Sequence, residues 1–135
     1  SPNIVLWTWE DDALGEYLKS LLAVQELPVK TALPAHRTAG SIPLAARAEE
    51  LINHHQRRIE ELSAIVRGWP GLTCYEVAAR MKWSIRAASW DDFPPSQKYF
   101  AVCECMAHLQ HMCCSGLAER RTDANSVMRY YAKGK

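Results

Sequence analysis

One stripe of residues constrains this chain more than any other feature. Leu44, Ala48, Leu51, His55, Ile59, Leu62 and Val66 recur at steps of 4, 3, 4, 4, 3 and 4. That is the period of an α-helix with one apolar face, sustained for about six turns. Such a face is stable only against a core, so the rest of the chain must supply partners for it. Pro43 stands in the first turn, where its missing N–H costs little, and Gly68 is placed to end the helix.

The partners are visible on both sides. Upstream, Asp11 or Asp12 can cap a helix running to about Gln25, with Leu14, Leu18, Leu21 and Leu22 on one face and Pro28 just past its end. Downstream, Thr73 and Glu76 form a capping box, and Leu72 and Val77 are spaced for a hydrophobic staple around it. That short helix is expected to end near Met81 or Trp83. Residues 84–95 read as loop, with Asp91-Asp92 and Pro94-Pro95. A longer helix follows from about Ser96 to Cys114. Phe100, Cys103, Ala107, His111 and Cys114 are expected on one face, widened by Val102, Met106, Leu109 and Cys113, so it should lie buried between neighbours. After Gly116, Leu117 to Arg121 and Ser126 to Tyr131 read as a β-hairpin turning at Thr122 to Asn125. Three helices and then a hairpin is the order of a winged helix.

The first forty residues differ from the rest. They carry Lys19, Lys30 and Arg37 against Glu10, Asp11, Asp12, Glu16 and Glu26, while the whole chain has 16 basic and 15 acidic residues. Pro34, Gly40 and Pro43 cluster at the join. Ile4 to Trp7 and Val29 to Leu33 read as short strands flanking the first helix. A strand–helix–strand piece of this size cannot bury both of its faces, so it reads as the torn edge of a larger sheet domain. The expected architecture is mainly α, of the α+β class. A strand–helix–strand remnant occupies residues 1–40, and a winged-helix-like three-helix domain with a C-terminal hairpin occupies residues 41–135.

Composition narrows the function. A net charge of +1 argues against a protein that coats nucleic acid or anionic membrane. No run reaches the roughly 18 to 20 apolar residues of a membrane span. The start, Ser1-Pro2-Asn3, has neither Met nor the look of a signal peptide, and is expected to be a cut or processed end. Cys74, Cys103, Cys105, Cys113 and Cys114 make an odd count, which points to reduced thiols and a cytoplasmic setting. A zinc site from Cys105, His108 and His111 is disfavoured, because steps of three rotate around a helix, and the cysteines are expected to pack as small apolar groups. Glu104 and His108, four apart, are expected to form a structural pair. Trp69, Trp83 and Trp90 are expected to fill core or seam. Arg120, Arg121, Arg129, Lys133 and Lys135 make the hairpin and tail basic, which leaves a winged-helix nucleic-acid module as an alternative. Its reading helix would offer bases only Lys98, Gln97 and Gln110, so nucleic acid is not the expected partner. A protein-interaction module using the apolar helix faces, or a homodimer, is the other alternative.

The segment Thr31-Ala32-Leu33-Pro34-Ala35-His36-Arg37 resembles the "LPGHG" turn of the metallo-β-lactamase-fold hydrolases. Ser1-Pro2-Asn3-Ile4 resembles that family's stretch just after its bridging Asp. Leu51 to Arg58 resembles its "HH..R" helix, and Thr73 to Ala78, Ala107-His108-Leu109 and Gly116 resemble its appended winged-helix domain. Both glycines of the turn are replaced, by Ala35 and Arg37, and the family's "HxHxDH" cluster and bridging Asp are missing from these residues. The resemblance implies a parent hydrolase with two metal ions, zinc above all. His36 would be one ligand, with His54, His55 and Arg37 behind the ligands or facing a small-molecule substrate. A bridging hydroxide would attack an ester, thioester or similar bond. The resemblance implies that the main partner is the N-terminal catalytic portion of the parent, and that residues 41–135 shape the rim of its site. One ligand cannot make a hydrolytic metal site, so this stretch alone is expected to be inactive and to hold no metal.

Overall fold

The chain is described by a computed structural model covering Ile4, residues 10–35, Thr38, Gly40 and residues 42–134. Among the described residues are four helices and one hairpin: α1 (Ala13–Gln25), α2 (Leu44–Gly68), α3 (Cys74–Arg80), α4 (Pro95–Cys114), β1 (Ala118–Thr122) and β2 (Met128–Ala132). No helix among the described residues is long and apolar enough to cross a membrane.

The stripe on α2 organises everything else. Its residues Ile59, Leu62, Ile65 and Val66 enter the main core, where they meet Leu14 of α1, Val77 and Ala78 of α3, Cys105, Leu109 and Met112 of α4, and Tyr130 of β2. Leu62, Leu14, Leu109 and Val77 are fully excluded from water. Each such side chain stabilises the fold by about 1.5–3 kcal/mol through the apolar surface it hides. The start of α2 packs differently. Ala48 and Leu51 form a separate small cluster with Leu21 of α1.

The helix ends obey local chemistry. Asp12 caps α1, its side chain accepting from the Gly15 N–H at 2.8 Å. Pro43 occupies the N-cap of α2, one position earlier than expected, and α2 runs to Gly68. The capping box on α3 is complete, with the Thr73 N–H donating to Glu76 at 2.8 Å and the Glu76 N–H donating to Thr73 Oγ1 at 3.3 Å. The strands β1 and β2 pair antiparallel, Arg120 opposite Tyr130. The hairpin is pinned to the chain before α3 as well: the Gly71 N–H donates to the Tyr130 carbonyl and the Tyr130 N–H to the Leu72 carbonyl, both at 2.9 Å. Gly71 has φ +86°, and a Cβ there would press on the Tyr131 hydroxyl. The turn is organised by Asp123, whose side chain accepts from the Asn125 and Val127 N–H groups and from Arg129.

Two expectations change, and a third falls outside the described residues. Val29 to Leu33 is not a strand: it has no neighbouring strand among the described residues, and Val29 and Leu33 are 44% and 81% exposed. A strand persists only where a neighbour shares its ladder; here the Val29 N–H instead donates to the Leu27 carbonyl at 2.8 Å. The strand expected at Ile4 to Trp7 lies outside the described residues except for Ile4, which is buried in the main core. The face expected on α4 is right only in part. Cys103, Ala107 and Leu109 are buried as expected, but Phe100 and Cys114 are exposed, and Cys105, His108 and Met112, outside the expected set, are buried. Neighbours on several sides leave this helix no single apolar stripe, so periodicity alone placed only part of its inner face.

Candidate functional site

His36 and Arg37 lie outside the described residues, so nothing in the structure tests their expected roles. What is described is the loop around them. Its two legs are tied by the Gly40 N–H donating to the Ala32 carbonyl at 3.3 Å, with Gly40 at φ +70°. Among the described residues no three His, Cys, Asp or Glu side chains come together as a metal could require.

The densest polar arrangement is a histidine cluster where α1, α2 and α4 meet. His55 Nδ1 and His108 Nε2 are 3.0 Å apart, both side chains fully buried. His108 Nδ1 lies 2.7 Å from the Glu104 carbonyl, which can only accept. His108 therefore carries its proton on Nδ1 and offers a lone pair at Nε2. His55 must then donate from Nδ1, leaving its own Nε2 as a bare acceptor with no hydrogen-bond partner among the described residues. Tyr17 of α1 meets the His55 ring edge-on at 5.6 Å, and His54, half-buried, at 5.1 Å. Burial is the main force on both protons. It pushes His55 down to about 3 and His108 to about 4; the neighbouring His108 adds to the fall at His55, Arg58 adds to it at both, and the bond to the Glu104 carbonyl opposes it at His108. Burial also lowers His54. A base with so low a pKa holds almost no proton near neutrality, so this pair is a hydrogen-bonded clamp rather than acid–base machinery.

Beside it, Arg58 acts as a hub. Its guanidinium lies 2.7 Å from Glu61, 2.8 Å from the Lys82 carbonyl and 3.5 Å from Glu104, and it stacks over Trp83 at 4.3 Å. Burial raises the Glu104 pKa, and Arg58 opposes that rise. The expected Glu104–His108 pair thus exists through the Glu104 backbone, while its carboxylate serves Arg58. On the other side, His111 Nδ1 meets both oxygens of Asp12, at 2.9 and 3.1 Å, tying the cap of α1 to α4. Neither the His55–His108 contact nor the Asp12–His111 contact has a local signal in the sequence, since each joins residues far apart in the chain. The Cys105, His108, His111 trio does not converge, because His108 turns to α2 and His111 to α1.

The basic hairpin is largely committed to its own protein. Arg120 donates to Gln110 at 2.6 Å, Arg121 pairs with Glu119 and lies over the Tyr131 ring, and Arg129 bonds Asp123 at 2.7 Å and the Gly71 carbonyl at 2.9 Å. Trp83 and Trp90 pack against the core as expected, but Trp69 is 53% exposed. All five cysteines are free thiols, and burial raises the Cys105 thiol well above its usual range.

Residues 91–133, which span α4 and the hairpin, match the family model described as the metallo-beta-lactamase-like C-terminal domain. Over 98% of its length the chain also superposes on a beta-lactamase domain protein from Burkholderia ambifaria, with TM-score 0.80 and 23% identity, a likeness of fold. Over 98% of its length it superposes likewise on a metallo-beta-lactamase family protein from Thermus thermophilus, with TM-score 0.75 and 29% identity. The chain spans 38% of the length of each of these structures. No curated protein matches the sequence. The family match thus covers α4 and the hairpin, and the likeness along the rest of the chain is one of fold.

Proposed function

We propose that this chain is the C-terminal part of a metal-dependent hydrolase of the metallo-β-lactamase superfamily. In this reading residues 1–40 complete the catalytic domain, and residues 41–135 form a winged-helix-like unit that walls one rim of its site. The observation that carries the proposal is the family match over residues 91–133, reinforced by similarity to a metallo-beta-lactamase family protein along nearly the whole chain.

The residues described here do not fit a hydrolytic metal centre. Such a centre needs about three protein ligands and one open position for water, and no group of three candidate ligands exists among them. The metal and the cleavage of an ester- or thioester-like bond are therefore assigned to the longer protein, with His36 as the one ligand this stretch contributes. Its helices act as scaffold: α2 leaves the loop that contains His36 and is anchored by the His55–His108 clamp and the Arg58 hub.

The test compares this chain with a longer natural protein that contains it, measuring bound metal and hydrolysis of a model thioester side by side. Metal and turnover in the longer protein, both lost when His36 is changed to Ala, are the expected result. Absence of both from the longer protein refutes the reading. Deleting residues 41–135 should change substrate range, activity or oligomeric state, and no change in any of them sinks the rim role.

A further inference from the structure

The hydrolase reading uses none of the cysteines, yet two of them meet inside the fold. Cys74 opens α3 and Cys105 lies midway along α4, 31 positions later. The Cys74 thiol donates to the Val102 carbonyl at 3.6 Å, and the Cys105 thiol donates to the Cys74 carbonyl at 3.7 Å. Val102 and Cys105 are three apart on α4 and so share one of its faces. The two thiols therefore lie over the same patch of that helix, and they are hydrogen-bonded to each other. The remaining cysteines are placed differently. Cys103 is two positions from Cys105 on the same helix and points to another side of it, Cys113 and Cys114 are neighbours in sequence, and Cys114 accepts from Gln110 at the exposed end of α4.

The surroundings select the chemistry. Cys105 is fully excluded from water, and burial first, then the bond to Cys74, holds its thiol well above the usual range. A soft metal ion would need both groups as thiolates, which this burial opposes. A disulfide is neutral and brings no charge into the core. Cys74 is only half-buried, so a small oxidant reaches the pair from its side. We infer that Cys74 and Cys105 form a redox pair that a hydroperoxide closes to a disulfide between α3 and α4. The Cys74 thiolate attacks one peroxide oxygen and the O–O bond breaks. The sulfur becomes a sulfenic acid, and the other oxygen, taking the proton the thiol gave up, leaves as water or an alcohol. The Cys105 sulfur then attacks the Cys74 sulfur. The S–O bond breaks, and hydroxide leaves as water with the Cys105 proton. Two electrons and two protons pass from the thiols to the peroxide, and a dithiol reductant reverses the step. The bridge closes the chain between α3 and α4 into a loop, which restricts the unfolded chain and makes the oxidised form harder to unfold. None of this depends on the hydrolase reading.

The experiment treats this chain with an equimolar amount of hydrogen peroxide, alkylates the remaining thiols in denaturant and weighs the product. A monomer lighter by about 2 Da before alkylation is expected, with three alkylated cysteines instead of five. Trypsin should then yield residues 68–80 joined to 99–120, and dithiothreitol should restore all the thiols. The second peptide holds Cys103, Cys105, Cys113 and Cys114, so variants assign the partner. Cys103→Ser, Cys113→Ser and Cys114→Ser should keep the bridge, whereas Cys105→Ala and Cys74→Ser should lose it. In Cys105→Ala, dimedone should trap a sulfenic acid at Cys74. The bridged chain should also unfold at a higher urea concentration than the reduced one. Five alkylated thiols after peroxide, a covalent dimer as the sole product, or a bridge that survives Cys105→Ala would overturn the inference. So would a Cys74→Ser variant, half-buried and folded as before, that still closes a bridge at Cys105.

Discussion

Acidification should unfold this protein through two buried imidazoles. Burial holds His55 at about 3 and His108 at about 4, against 6.5 for a free side chain. Between those values and 6.5 only the unfolded chain takes up the protons. The stability contribution is therefore complete above about pH 7 and is lost as pH falls through 6.5 toward the folded values. From pH 7 to pH 5 each imidazole costs about 2 kcal/mol, and the pair about 4, because both folded values sit below pH 5. That size does not depend on where below pH 5 each folded value falls. It is large against a total stability of roughly 5–15 kcal/mol. The groups facing the pair change the figure little. Arg58 repels an added proton, and so does His54, whose pKa is itself lowered. The raised pKa of Glu104 works the other way, favouring the folded state in acid. Urea melts at pH 7 and pH 5 should differ in midpoint by about 2 M. In His108→Gln, which keeps an amide at the site but cannot titrate, the difference should fall by about half. An unchanged midpoint in the natural chain, or a variant that loses as much as its parent, would refute the placement of these imidazoles and the tautomers drawn from it.

Other perturbations probe the supports around the clamp. Arg58→Ala should cost about 3 kcal/mol in urea unfolding, because it strips the cation from Glu104, whose side chain is 17% exposed, and a donor from the Lys82 carbonyl. Asp12→Ala removes the α1 cap and the tie to His111 together, and should destabilise by about 1 kcal/mol or somewhat more in the same assay. Arg129→Ala should lower the melting temperature and broaden the amide signals of residues 123–127, since the turn loses the guanidinium that holds Asp123. A melting curve identical to that of the natural chain would show that Arg129 is free to serve a partner instead.

Local rules carried most of the fold. The α2 stripe, the capping box at Thr73 and Glu76, and the stop near Cys114 depend on neighbours within one or two turns, and each could be read directly. The hairpin was legible too, although its turn is organised by Asp123 rather than by the Thr122–Asn125 stretch as a whole. Long-range choices were not legible. The inner face of α4 depends on what packs around it, and periodicity named Phe100 where Cys105 and Met112 are buried. The Val29–Leu33 segment has strand composition but no partner strand in view, and composition cannot supply one. For the site, the sequence put His55 on the buried stripe of α2 but gave no way to know that it would meet His108 across 53 positions.

The two clusters along α2 give that helix two unequal halves. Its C-terminal half is held by α3, α4 and β2 through the main core, whereas its first turns rest on three buried residues shared with α1. A continuous hydrogen-bonded rod can still open piecewise when its anchorage is uneven. Amides of residues 48–52 should exchange with deuterium far faster than those of residues 59–66. The end of α2 next to the loop then breathes while the far end stays closed, so the connection from α1 is mounted on the most compliant part of the longest helix among the described residues.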